Sequence, residues 1–415
     1  MNNTFTCASR IFPFLVIYIT VTGDVAASGL TLYEISTPDT GYASAGSAAR
    51  ANDPTTIATN PAGLTRLKND ELMVGGQVLY GNIQFIDDGK STTSGGNGDN
   101  AVGLLPGASI FYSHQIDDVW TAGFGIYSNF GLSIDYGDSW SGRYDLQKGT
   151  LIGATIAPTL AYQLDEHWSI GTGLNIMYSM VKADKAVPSL EGQQDGAFHT
   201  EDHDWGTGVN IGVLYQQDQH TRIGVDYNSP IKLKFTSPLE LSPGGVLTRQ
   251  YLLPFSGDIT VPQSLNLSAY HDLSEQWAIL GSLGWQDWSE FGEISGEVNN
   301  TGYEINEQFD DGWHAALGFQ YQLNPEQLLT FGVAYDSSII DDKQRTVALP
   351  LAEQWRLGVG WQQAITENAL LNISYDIVFM PDMPVYQVNN YGAVLSGTYK
   401  NPKFQFLSAN FTWKF

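Results

Sequence analysis

Two groups of side chains in this sequence are of types that could do chemistry. The first is an acidic histidine run, His199 and His203 with Glu201, Asp202 and Asp204. Imidazole and carboxylate together are ligand types for a divalent cation, and a His beside an acid is also the base of many hydrolases. Runs of this kind more commonly form a solvated acidic face, so no metal is assigned to it. The other His do not gather into a nucleophile–base set: His114, His167, His220 and His271 fall at or beside short polar turns. Cys7 is the only cysteine and lies near the N-terminus, so thiolate chemistry and disulfides are unavailable beyond it. The second group is the bases. Lys and Arg number 19 against 44 acidic residues, a net charge of −25 that excludes a nucleic-acid partner. A scarce base in a partly dry setting is suited to holding a carboxylate. Arg356 is the first candidate, with Lys182, Lys185, Arg345 and Lys343 beside it. No nucleotide-binding motif is present, and the chain is read as a non-enzyme without cofactor.

Positioning such residues requires a scaffold, and alternation supplies it. Trp168, Ile170, Thr172, Leu174, Ile176, Tyr178 and Met180 form one face of an extended run, against Ser169, Gly171, Gly173, Asn175, Met177 and Ser179 on the other. An apolar face with aromatic ends opposite a small polar face suits a barrel in a membrane, with a solvated or loosely filled interior. Fourteen such segments are read, near 71–87, 105–116, 119–130, 149–163, 168–182, 204–217, 221–236, 256–271, 276–289, 309–322, 327–336, 352–364, 369–379 and 403–415. Short turns such as Asp165-Glu166-His167 and Asp218-Gln219-His220 alternate with long loops near 88–104, 131–148, 183–203, 237–255, 290–308, 337–351 and 380–402. Short turns on one side and long loops on the other is the bacterial outer-membrane arrangement, with the long loops outside. Arg356 falls on the polar phase of its segment and is expected to point inward. The four other bases lie near strand ends at the outer rim.

Residues 1–27 read as a secretory signal: Arg10, an apolar stretch from Ile11 to Val21, then Val25-Ala26-Ala27 as a cleavage site. No apolar run of helix-spanning length follows, which excludes an inner-membrane helical protein. The terminal Phe415, with Trp413 and Phe411 on the same face, matches a last strand read by the barrel-insertion machinery. Residues 28–70 lack the alternation and are rich in Ala, Gly, Ser and Thr. A helix is expected over Ala43 to Ala51, and a turn into a second one with Asn60 as N-cap and Pro61 at the first helical position. This segment is either a packed plug or a loose extension. Apolar residues in the outer loops, unfavourable there unless used, include Val187, Leu190 and Phe198 in one loop. Leu247, Tyr251, Leu252 and Leu253, leading to Phe255, lie in the next. They form a groove for a greasy ligand, or pack on each other, or both.

The sequence resembles the FadL/TodX family of outer-membrane long-chain fatty acid and hydrocarbon transporters. The resemblance is carried by Ser44-Ala45-Gly46-Ser47-Ala48-Ala49, Asn60-Pro61-Ala62-Gly63-Leu64, Ser128-Asn129-Phe130-Gly131-Leu132 and Ser141-Gly142-Arg143-Tyr144. Ala157 to Tyr162, Trp285 to Phe291 and Tyr335-Asp336-Ser337-Ser338 extend it over the mature chain. It implies an all-β fold: a 14-stranded antiparallel transmembrane barrel over 71–415, plugged by an N-terminal hatch over 28–70. Asn60, Pro61 and Ala62 would be the hatch signature. Ser128, Asn129, Phe130 and Gly131 would form an inward kink of the third strand that opens the wall. Gly131 alone could instead simply end that strand. The two apolar loops would be the first capture groove. The implied function is passive uptake of long-chain fatty acids or similar hydrophobic molecules, released sideways after hatch rearrangement. Monoaromatic hydrocarbon uptake on the same fold is the alternative, and a surface adhesin or receptor barrel is a further one. The expected partners are the hydrophobic ligand, outer-membrane lipid and lipopolysaccharide, and the insertion machinery; the expected state is a monomer.

Overall fold

The computed structural model describes residues 32–189, 193–242, 244, 251–299 and 301–415. The proposed signal over 1–27 and the first residues of the hatch lie outside them. Fourteen antiparallel strands close into a barrel. In chain order they are β1 Glu71–Asn82, β2 Gly103–Gln115, β3 Trp120–Asp135, β4 Lys148–Gln163, β5 Trp168–Val187, β6 Gly196–Gln216 and β7 Thr221–Asn228. The second half is β8 Ser264–Asp272, β9 Trp277–Gln286, β10 Gly312–Asn324, β11 Gln327–Asp336, β12 Gln354–Thr366, β13 Ala369–Phe379 and β14 Lys403–Lys414. The ring closes where β1 pairs β14, Glu71 opposite Lys414, which removes the free edges of an open sheet.

The period of two places the apolar set outside. Trp168, Ile170 and Leu174 are exposed, whereas Ser169, Asn175 and Ser179 on the other phase are buried. The short turns share one device. Asp117, Asp165, Asp218, Ser274, Asn324 and Thr366 each accept backbone N–H bonds two or three residues on. Such side-chain turns reverse the chain in the fewest residues. Two of these carboxyls, Asp165 and Asp218, are held below the ordinary carboxylate range chiefly by those N–H groups.

Four of the long loops carry more regular structure than expected. β5 and β6 run on well past the other strands, to Val187 and from Gly196. The expected strand over 221–236 breaks at Ser229-Pro230, because Pro offers no N–H to a ladder. Its second half, Ile231–Phe235, joins Phe255–Val261, Glu293–Val298 and Thr301–Asn306 in a separate four-stranded sheet. A three-stranded sheet, Phe85–Asp87 with Val394–Tyr399 and Met383–Val388, covers the opposite side of the same end. An apolar core ties these loops together around Trp140, Trp288, Phe291 and Tyr399.

Residues 32–70 fill the barrel. Three short helices, α1 Thr37–Gly41, α2 Ser47–Arg50 and α3 Thr56–Thr59, precede a 3-10 turn over Pro61–Arg66. The helix expected over Ala43 to Ala51 shortens to α2, because Ala43, Ser44 and Gly46 take positive φ of 48°, 66° and 70° and break it. Wall glycines admit this backbone: a Cβ at Gly224 would lie 1.9 Å from the Ala48 carbonyl oxygen, and one at Gly332 1.9 Å from that of Tyr42.

Candidate functional site

Asn60 fixes the plug, as expected of an N-cap. Its Oδ1 accepts from the Ala62 N–H at 3.1 Å, and its Nδ2 donates to the Ala48 carbonyl at 2.6 Å and to Val213 of β6 at 3.0 Å. Pro61 starts the 3-10 turn and Ala62 is fully buried. Arg222 of β7 holds the other side, donating to the Ala49 and Arg50 carbonyls at 2.7 Å each. These carbonyls end α2, where a cation is favoured.

The wall is broken beside β3. Tyr127 stands opposite Thr155 of β4, and Phe130 opposite Gly153, so β3 spends one residue more than β4 over this step. That is a β-bulge, and it reverses the faces. Tyr127 is buried on the odd phase, but Phe130, Leu132 and Ile134 are buried on the even one. Beyond the bulge β3 pairs β4 alone: its ladder to β2 runs only from Thr121–Gln115 to Ile126–Ile110. Residues 103–109 of β2 therefore pair only β1. Pro106, which has no N–H to offer, sits in that open stretch. Gly131 does not end the strand; it continues to Asp135. Its φ is 151°, and a Cβ there would come within 2.9 Å of the Ile152 Cα and Cγ2.

Inside the break lies a cavity of about 320 Å³. Leu105, Phe130, Leu132, Phe404 and Phe406 make it apolar, and Arg356 is the one cation lining it among the described residues. Leu32 and Glu34 of the plug form its inner side, and the Leu32 N–H bonds the Asn129 carbonyl at 2.9 Å. Arg356 is buried and each of its three guanidinium nitrogens has a partner. Nε donates to Asp336 Oδ2 at 2.6 Å, one terminal nitrogen pairs Glu34, and the other donates to Gln354 Oε1 at 2.9 Å. Asp336 also meets His314 Nδ1 at 2.7 Å. Asp376 stands opposite Gly358, one inward step from Arg356, and is fully buried. Tyr33 stacks on His314 at 4.2 Å between centroids. Burial holds the Tyr33 hydroxyl well above its usual pKa; the Asp336 charge adds to this and Arg356 opposes it.

The other bases are elsewhere. Lys182 pairs Glu201 at 3.3 Å, Lys185 lies over the Phe198 ring, and Lys343 is exposed on a loop. Arg345 is buried among loops, bonded to the Leu351 carbonyl and to Asp342. In the proposed groove, Phe198 is buried with Leu239, and Val187, Leu253 and Phe255 pack against them. Tyr251 and Leu252 stay exposed, and Leu190 and Leu247 lie outside the described residues. The acidic histidine run is occupied with knitting strands: His199 meets Asp184 at 2.5 Å, and Asp204 accepts the Lys234 N–H at 2.6 Å. Arg143 joins three loops through Asp195 at 2.8 Å and the Ser94 carbonyl at 2.6 Å.

Sequence reasoning missed Glu34, Asp336, His314 and Asp376 as neighbours of Arg356. The three wall residues do fall on the inward phase of adjacent strands, and charged residues at matching heights on that phase were a usable signal. Glu34 carried none, because the path of the plug is not periodic.

Comparison with known proteins gives one consistent result. The family model described as outer membrane protein transport protein (OMPP1/FadL/TodX) matches residues 18–415. A long-chain fatty acid transport protein of Salmonella typhi is 25% identical over 91% of this chain and 94% of its own. The crystal structure of a Pseudomonas aeruginosa FadL homologue superposes with a TM-score of 0.85 at 17% identity, covering 93% of this chain and 99% of that one. The toluene transporter TodX of P. putida superposes at 0.67 and 17% identity, covering 91% and 99%.

Proposed function

Since the chain belongs to the OMPP1/FadL/TodX family of outer membrane transport proteins, we propose that the hydrophobic molecules it carries are long-chain fatty acids. They are caught on the apolar loop surface that Tyr251 and Leu252 expose and pass into the cavity beside β3. The observation that carries this reading is that cavity: about 320 Å³, apolar, bordered by the unpaired stretch of β2 and lined by Arg356 as its one cation among the described residues. Its size falls at the low end of ligand pockets, roughly 300–1,000 Å³. An acyl chain buried there gains roughly 0.8 kcal/mol per CH₂. Residues 28–70 act as the hatch, and release is sideways, between β2 and β3, after the hatch shifts. Nothing in the scheme needs an energy source. The barrel works as a monomer, inserted through its Phe415-terminated strand, with lipopolysaccharide and its bridging cations around the acidic outer loops.

A second reading is favoured by one observation. Arg356 already carries two carboxylates, so a neutral ligand such as a monoaromatic hydrocarbon meets less electrostatic resistance. Uptake of radiolabelled oleate and of toluene, in cells lacking their own transporter, separates the two. Oleate uptake gained with this chain supports the first reading. Toluene uptake alone moves the assignment to hydrocarbons. Uptake of neither by a folded barrel removes both.

A further inference from the structure

The cation of the cavity is occupied by the protein itself. Asp336 and Gln354 reach Arg356 from wall strands whose ladders fix them, Asp336 standing opposite Gln354 in the β11–β12 pair. Glu34 reaches it from the plug, and the plug segment that bears it belongs to no ladder. It is a buried carboxylate seated on a guanidinium at the end of an apolar cavity, the place a fatty acid head group would take. Two residues earlier, Leu32 lines the same cavity and bonds the bulge carbonyl of Asn129 at 2.9 Å. One short segment thus joins the cation to the break in the wall.

Charge accounting then restricts what can enter. Asp336 and Glu34, both paired to Arg356, already outnumber it at a mostly buried site. A third carboxylate added to this cluster is repelled, whereas one exchanged for Glu34 leaves the balance unchanged. Resting on the fatty acid reading above, we propose that Glu34 is a specificity-determining residue, a tethered competitor that an incoming carboxylate displaces from Arg356. Its departure draws Leu32 away from Asn129 and frees the unpaired edge. A neutral molecule of equal length fills the cavity without displacing Glu34, and leaves Leu32 in place.

The test uses the full barrel in detergent, with oleate and its neutral counterpart oleyl alcohol as probes. Glu34→Gln removes the competing charge at nearly constant shape. Oleate then binds about tenfold more tightly, the equivalent of about 1.4 kcal/mol, and oleyl alcohol binding is unchanged. A second measurement keeps Glu34 in place. The only native cysteine is Cys7, so Leu32→Cys introduces a single thiol into the processed chain. Its maleimide labelling rises with oleate and not with oleyl alcohol. Unchanged oleate affinity in Glu34→Gln, or equal shifts for both probes, overturns the exchange while oleate binding itself leaves the transport reading standing. Labelling that rises equally with both probes also overturns it. Absence of oleate binding in the unmodified, folded barrel removes the transport reading, and this inference with it.

Discussion

At the scale of single residues the account turns on Arg356. It was legible in advance as an inward base because its strand alternates cleanly through Trp355, Leu357 and Val359. Its partners were less legible, since they come from β11, β13 and the plug and meet only when the ring closes. Removing the guanidinium leaves buried carboxylates uncompensated. Arg356→Gln is expected to cost about 3–5 kcal/mol, read as a lower thermal unfolding temperature of the detergent-solubilised barrel, together with lost oleate binding. A variant with the parent's stability would show that the carboxylates are neutral without it. Gly131 is the second residue with a single explanation. A Cβ there meets the Ile152 backbone at 2.9 Å, so Gly131→Ala strains the bulge by about 1–3 kcal/mol. Oleate uptake falls several-fold while equilibrium binding persists; equal uptake would separate the bulge from release.

At the scale of elements, strands and turns were the readable part. Period two fixed which face each strand buries, and Asp, Ser, Asn or Thr at turn starts fixed where the chain reverses. The bulge in β3 was not readable from alternation: Phe124, Ile126, Ser128 and Phe130 continue one phase on paper, yet Phe130 is buried. An inserted residue leaves no local compositional mark, so only the family resemblance pointed there. The plug helices were half-readable, since Asn60-Pro61 is a capping signal while positive φ at Ala43 and Ser44 is not. Asn60→Ala removes three bonds, one that staples the plug to the wall at Val213 and two within the plug at Ala48 and Ala62. Each buried group left unpaired costs about 1–3 kcal/mol, and the expected outcome is sensitivity of cells to large polar antibiotics. Resistance equal to the parent's would place the stapling elsewhere, at Arg222. The turns make a pH prediction. The Asp165 carboxyl is held below its ordinary range by the His167 and Trp168 N–H groups. A depressed folded pKa stabilises above the unfolded pKa and is lost as pH falls through the folded one. The stability difference between the parent and Asp165→Asn, which cannot titrate, should therefore shrink on acidification. A difference that holds constant would mean the turn bonds do not depend on that charge.

At the scale of the whole molecule, a ring of short turns at one end and a thick apolar cap of loops at the other enclose a lumen packed with plug. Few charges and a Trp- and Tyr-rich outer face announced the barrel. What composition could not announce was that residues 32–70 pack the lumen and that the wall ladder lapses beside β3, where a cavity lies. Lateral release is the central claim, and deleting Asn129 tests it most directly. The deletion removes the extra residue between Tyr127 and Phe130, keeps Phe130, Leu132 and Ile134 facing inward, and lets β3 regain a ladder with residues 103–109 of β2. Radiolabelled oleate uptake would be compared in transporter-deficient cells carrying either chain at equal, folded levels. The account predicts uptake with the parent chain and none with the deletion, although the deleted chain still binds oleate. Equal uptake by both would contradict it, and would place the exit along the barrel axis.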